Sequence, residues 1–95
     1  MLLAVAPSAC SHRIAQRPPA PGRGAALYAA DCESCHGASG GPARVGPTLA
    51  GERKRKDDAA ILRAIEEPDP PMPKLYPGSL SARDVADIAA YVETL

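Results

Sequence analysis

The chain has 95 residues, which is room for one small domain and excludes a multidomain assembly. Eleven basic residues balance eleven acidic ones, so bulk charge does not favour binding to nucleic acid. Apolar residues make up 45% of the chain, but Phe and Trp are absent and Tyr occurs three times. Because large side chains supply most of the burial in a small core, we expect a disulfide, a metal or a cofactor to stabilise the domain.

The N-terminus predicts an exported protein. Residues 1–10 read MLLAVAPSAC, an apolar stretch that ends on small residues as export signals do. The Ser-Ala-Cys ending is similar to the lipidation site of bacterial lipoproteins, so a membrane tether through Cys10 is one alternative, and a cleaved or plain tail is the other. Residues 11–21 are predicted to be a Pro-rich linker. The folded domain is predicted to cover residues 22–95.

Two helices are predicted in the first part of this domain. An Ala-rich segment with Leu27 and Tyr28 predicts a helix over about 24–32. A second helix is predicted to open at Asp57 and Asp58, since acidic side chains are favourable at a helix N-terminus. It must end before Pro68.

The last helix has the clearest pattern. Ser81 and Asp84 form a start similar to a capping box, and apolar residues recur at helical spacing from Val85 to Leu95. No segment alternates as a strand would, so we predict an all-α domain of three to four helices. Two loops rich in Gly and Pro, residues 37–51 and 68–80, are long enough to wrap a bound group.

The segment Cys32-Glu33-Ser34-Cys35-His36 carries the chemistry. The spacing C-x-x-C-H is the attachment signal for c-type haem. Two sulfurs one helical turn apart can form thioethers with the two vinyl groups of a porphyrin, and the adjacent imidazole can bind the iron. We therefore predict one covalent haem c, attached through Cys32 and Cys35, with His36 as an axial iron ligand.

Three other kinds of site could use these residues. A thioredoxin-like cysteine pair needs a βαβ context, which the sequence lacks. A disulfide between Cys32 and Cys35 would close a strained small loop. A zinc site could use both cysteines and His36 with Cys10 or His12, but neighbouring Cys and His residues are awkward ligands for one tetrahedron.

Met72 is the predicted second axial ligand. It lies in Pro70-Pro71-Met72-Pro73, a stiff polar segment in which a methionine is a poor core residue. A thioether suits haem iron, and His/Met ligation raises the reduction potential. Lys74 and His12 are the alternative ligands.

These residues are similar to those of the class I cytochrome c family, and the resemblance covers residues 22–95. Gly24 and Tyr28 match the positions at which the family's first helix crosses its last helix, where Ile88 and Tyr91 match an apolar–aromatic pair. The resemblance implies the small cytochrome c fold, with the first and last helices in close contact.

The resemblance extends to the segment Gly46-Pro47-Thr48-Leu49. It implies that the Pro47 carbonyl accepts a hydrogen bond from the axial histidine, and that Leu49 packs on the haem. The segment from Met72 to Ser81 resembles the family's methionine loop.

The function implied is one-electron transfer between Fe(II) and Fe(III), with no enzymatic step because both axial positions are filled. The protein is expected to work outside the cytoplasm, as a monomer or as a subunit of a redox complex. Its expected partners are redox donor and acceptor proteins. If Met72 is not a ligand, the alternative is an open haem site for gas binding or peroxidase-like chemistry.

The charged run over 52–58 is interpreted as a solvated face, with a docking patch for an acidic redox partner as the alternative.

Overall fold

The computed structural model describes residues 17–42 and 44–95. Within these ranges it has no strand and four α-helices, α1 (Pro21–Asp31), α2 (Glu33–His36), α3 (Asp58–Glu66) and α4 (Ala82–Val92). The predicted all-α class is therefore confirmed. None of the described helices is long and apolar enough to cross a membrane. The predictions for residues 1–10, which include Cys10, and for His12 lie outside the described residues.

Helix α1 begins at Pro21, three residues before the predicted start. Proline is well suited to the first helical position, because its missing N–H would have no partner there and its φ is already helical. The Pro- and Gly-rich composition of residues 18–24 is typical of a linker and gives no sign of this helix start. The helix ends at Asp31, and Cys32 separates it from α2 with a φ of −120°.

Helices α3 and α4 begin where they were predicted to begin, and both have side-chain caps, of which only the one at α4 was predicted. The Asp57 carboxylate accepts a hydrogen bond from Ala60 N at 2.8 Å. At α4, Ser81 and Asp84 form a reciprocal capping box. Helix α4 ends at Val92 and not at Leu95 as the periodicity suggests, because the Leu95 carbonyl turns to accept from Gly51 N at 3.0 Å.

The core lies where α1 crosses α4. A Cβ on Gly24 would lie 1.8 Å from the Asp87 carbonyl oxygen, so only glycine allows the two backbones to come this close. One turn along, the Tyr28 and Tyr91 rings pack with their centroids 5.2 Å apart. The predicted crossing of the first and last helices is thus confirmed. The buried apolar residues are Tyr28, Ile61, Leu80, Val85, Ile88, Ala89 and Val92.

A buried carboxylate joins the same two helices. Asp87 is fully buried and accepts hydrogen bonds from Ala20 N at 2.8 Å, Arg23 Nη1 at 2.9 Å and Arg83 Nη1 at 3.0 Å. Arg83 also donates to the Arg17 carbonyl at 2.6 Å. We call these five residues the Asp87 cluster. It fastens residues 17–20 along the first turns of α4.

Candidate functional site

Cys32 directly precedes α2 and Cys35 lies within this one-turn helix. His36 N donates to the Cys32 carbonyl at 3.0 Å, which brings both cysteines and the histidine into one helical turn. The two sulfurs are separate, half-buried thiols. Burial, together with Asp31 and Cys35, raises the pKa of the Cys32 thiol to about 11. Neither cysteine is part of a disulfide, so both sulfurs can be attached to a cofactor.

The His36 imidazole is oriented by a backbone carbonyl. Its Nδ1 lies 2.7 Å from the Pro47 carbonyl oxygen, and the residue is only 6% exposed. A carbonyl only accepts hydrogen bonds, so Nδ1 carries the proton and Nε2 is left with a free lone pair. This is the tautomer that an imidazole ligand to a metal needs.

The loop before Pro47 packs directly on the imidazole. A Cβ on Gly46 would lie 2.6 Å from His36 Cε1, so a side chain at this position would displace the ring. The loop is anchored at the Cys35 carbonyl, which accepts from Arg44 N at 3.0 Å, Val45 N at 3.2 Å and Gly46 N at 3.0 Å. The anchor ties the loop to the helical turn that carries both cysteines and the histidine.

Tyr28 contributes a contact that the sequence does not reveal. Its hydroxyl donates to the Gly37 carbonyl at 2.7 Å, directly after His36. Gly37 has a φ of +86°, and a Cβ there would lie 2.2 Å from the Pro42 carbonyl oxygen. The sequence treats Tyr28 as an aromatic packing residue, and nothing in the pattern indicates where its hydroxyl donates.

The loop after Pro47 is tied to the segment after α2. Thr48 Oγ1 and Leu49 N both donate to the Gly40 carbonyl, at 2.8 and 2.9 Å. Leu49 is half-buried and packs against the core. The structure therefore brings together five of the predicted site residues, which are Cys32, Cys35, His36, Pro47 and Leu49.

Met72 lies in the loop between α3 and α4. It is half-buried, its backbone N donates to the Asp69 carbonyl at 3.1 Å, and it is not among the described side chains packed against the core. The alternative ligand Lys74 is engaged elsewhere, since its Nζ donates to the Glu66 carbonyl at 2.8 Å and to the Glu67 carboxylate at 3.1 Å.

The donor set suits haem attachment. Two thiols and one imidazole share a helical turn, and the imidazole keeps Nε2 for a metal. Across residues 17–42 and 44–95, no three His, Cys, Asp or Glu side chains are placed to hold a metal ion by themselves. Cys10 and His12, the alternative fourth ligands of a zinc site, lie outside those ranges.

The basic residues of the charged run over 52–58 are partly neutralised by neighbouring acidic side chains. Arg55 Nη2 lies 2.7 Å and Lys56 Nζ 2.8 Å from the buried carboxylate of Glu52. Arg53 lies 3.8 Å from Asp58. Much of this charge is therefore directed at the protein's own acidic groups.

Comparisons with known proteins point to one family. The family model described as cytochrome c oxidase, cbb3-type, subunit III, matches residues 19–92. A protein of Synechocystis sp. described as cytochrome c-553-like is 32% identical over 74 residues, which are 77% of this chain and 67% of that protein. No solved structure matches.

Proposed function

The chain belongs to the c-type cytochromes, which carry covalent haem c, and we propose that it is a one-electron carrier with His36 and Met72 as its axial ligands. The observation that carries this proposal is the His36 imidazole, held on the Pro47 carbonyl beside two thiols. The bound haem supplies iron that cycles between Fe(II) and Fe(III).

The attachment is assigned to Cys32 and Cys35. Each sulfur would form a C–S bond to one vinyl carbon, with the thiol hydrogen going to the other vinyl carbon, so the addition would need no oxidant. The helical turn sets the spacing of the two sulfurs. Two covalent bonds allow a small domain to keep a group that its few buried side chains would not enclose.

His36 is assigned as the proximal ligand through Nε2. The Pro47 carbonyl fixes the tautomer and increases the basicity of the imidazole. The absence of a side chain at Gly46 lets the loop pack against the ring without displacing it. These contacts keep the imidazole in one orientation in both oxidation states, which favours fast electron transfer.

Met72 is assigned as the distal ligand. Its place in a proline-rich loop and outside the packed core supports a role other than gap-filling. Prolines reduce the freedom that the loop loses when it is ordered. With both axial positions filled by the chain, no iron position is open to a substrate, so we propose a carrier and not an enzyme.

Proteins of this family typically work outside the cytoplasm, and the partners proposed here are redox donor and acceptor proteins. The matching family model is named after a subunit of an oxidase, which supports a place in a redox complex as an alternative to a free monomer. A membrane tether through Cys10 is an alternative to a cleaved or plain N-terminal tail.

Absorption spectra of the holoprotein test the ligation. We expect low-spin spectra in both oxidation states, and a weak red band from iron–sulfur ligation in the oxidised protein. Met72→Ala should abolish that band and let the reduced protein bind carbon monoxide. Leu75→Ala is the control, because it truncates another half-buried side chain of the same loop.

The opposite outcome would change the assignment. If the protein is high-spin, or if its reduced form binds carbon monoxide as readily as Met72→Ala does, the carrier proposal is wrong. The open-site alternative, gas binding or peroxidase-like chemistry, would then replace it.

A further inference from the structure

The charged run over 52–58 contains an arginine whose guanidinium hydrogen-bonds to backbone carbonyls of the preceding loop. The Pro47 carbonyl must stay at 2.7 Å from His36 Nδ1, yet Pro47, Thr48 and Ala50 are all exposed. Packing therefore holds this stretch mainly through Leu49. The other restraints on its position are hydrogen bonds.

Arg55 provides hydrogen bonds on both sides of Leu49. One N–H of its Nη2 is shared between the Ala50 carbonyl at 3.1 Å and the Thr48 carbonyl at 3.4 Å. Thr48 follows Pro47 directly, so the guanidinium holds the peptide next to the one that accepts from His36. No other side chain in the described part of the chain donates to these two carbonyls.

Glu52 keeps the guanidinium in place. Its Oε1 accepts from Arg55 Nε at 3.0 Å and from Nη2 at 2.7 Å, and the residue is only 9% exposed. Two bonds from one guanidinium to one carboxylate oxygen fix the direction of the fork. Lys56 Nζ binds the second oxygen of Glu52 at 2.8 Å but makes no hydrogen bond to the loop.

We propose that Arg55, oriented by Glu52, is a positioning residue for the proximal histidine, because it adds to the hydrogen bonds from the Cys35 and Gly40 carbonyls that hold the loop of Pro47. The inference rests on the proposed role of His36 as an iron ligand. It predicts that the orientation of the imidazole depends on a guanidinium that does not touch it.

The test is the solvent exchange rate of the His36 Nδ1 proton, measured by NMR on the reduced holoprotein. Arg55→Ala should increase this rate at least about fivefold, the factor that corresponds to a hydrogen-bond contribution of about 1 kcal/mol. Lys56→Ala is the matched control, because it removes an ion pair to the same carboxylate and leaves the loop bonds intact. We expect its exchange rate to stay within about twofold of the wild-type rate.

Arg55→Lys separates geometry from charge. Lysine keeps the positive charge beside Glu52 but lacks the planar fork, so the exchange rate should resemble that of Arg55→Ala. A wild-type rate in Arg55→Lys would show that only charge matters and would overturn the proposal. So would equal rates in Arg55→Ala and Lys56→Ala.

The same NMR spectra distinguish a failure of the positioning role of Arg55 from a failure of the proposed function. A His36 ring signal without the large shift produced by a haem ring current would contradict ligation by His36, and with it the proposed function. A ring-current-shifted signal whose exchange does not respond to Arg55→Ala would contradict the positioning role alone.

Discussion

At the scale of single residues, the hydroxyl of Tyr28 connects the packing of α1 to the chemistry of α2. Its ring is 1% exposed and packs on Tyr91, while its oxygen donates to the carbonyl that follows His36. One side chain therefore contributes both to the core and to the position of the histidine.

We expect Tyr28→Phe to lower the free energy of unfolding by about 1 kcal/mol, since it removes one buried hydrogen bond and no packing atom of the ring. Tyr91→Phe is the matched control, because the Tyr91 hydroxyl makes no hydrogen bond within the described residues. Denaturant unfolding of both holoproteins measures the difference. Equal losses in the two variants would contradict a specific role for the Tyr28 hydroxyl.

At the scale of the helices, the crossing of α1 and α4 depends on the absence of a side chain. We expect Gly24→Ala to destabilise the protein by about 3 kcal/mol or more, because the added methyl group would meet backbone atoms of Asp87 that cannot move aside. Thermal unfolding of the holoprotein measures the loss.

Gly22→Ala is the control in the same helix. No atom lies within 4 Å of a Cβ at Gly22, so alanine there should stabilise α1 by about 0.5–1 kcal/mol through its better helix propensity. If both variants changed stability in the same direction, close packing at Gly24 would not be the reason.

The Asp87 cluster makes the same crossing sensitive to acid. Burial acts to raise the pKa of Asp87, but hydrogen bonds from Ala20, Arg23 and Arg83 outweigh it and hold the pKa below its usual range. The pKa of Asp84 is also lowered, first by the Ser81 backbone N–H and then by Arg23. Both carboxylates therefore stabilise the fold when ionised.

These lowered pKa values determine how the free energy of unfolding changes with pH. A lowered pKa in the folded state adds stability above the unfolded pKa of about 4, and this stability is lost as the pH falls through the folded pKa. We expect the free energy of unfolding to fall between pH 5 and pH 2. Asp87→Asn should reduce this slope and cost about 2 kcal/mol at pH 7, because the two arginines lose their charged partner.

Denaturant unfolding at pH 5 and pH 3 measures the slope. Asp69→Asn is the control, since Asp69 is exposed and makes no ion pair within the described ranges. A wild-type slope in Asp87→Asn would show that the acid sensitivity originates elsewhere.

At the scale of the whole molecule, the sequence predicted the helices and the crossing of the first and last better than it predicted the polar contacts. Periodicity and caps placed α3 and α4, because these signals are local. The buried positions of Asp87 and Glu52 were not predictable, since they depend on arginines that other segments or turns bring to them. The local indications were Arg83, four residues before Asp87, and Arg55 and Lys56, three and four residues after Glu52.

The candidate site divides in the same way. The C-x-x-C-H motif identified the cysteines and the histidine because its chemistry lies within five consecutive residues. The hydroxyl of Tyr28 and the guanidinium of Arg55 act on backbone carbonyls, which carry no sequence signature. Contacts of this kind become visible only when the fold is known.

The small core predicts that the fold depends on its cofactor. The seven apolar residues that are buried in the described chain include one aromatic ring. We expect a Cys32→Ser/Cys35→Ser double variant to lose its haem and most of its helical circular dichroism, because little else fills the interior. Ser34→Ala, at an exposed position between the cysteines, should keep both. Wild-type helicity in the haem-free double variant would show that the side chains suffice.

The fastening of residues 17–20 along α4 has a mechanical consequence. A pull on the chain from its N-terminal side would first load the bonds that Arg83 makes to the Arg17 and Pro18 carbonyls, and then the bond from Ala20 to Asp87. Helix α1 and the cysteines after it would be strained only when those bonds had broken. The Asp87 cluster thus shields His36, Cys32 and Cys35 from tension that is applied from the N-terminal side of the chain.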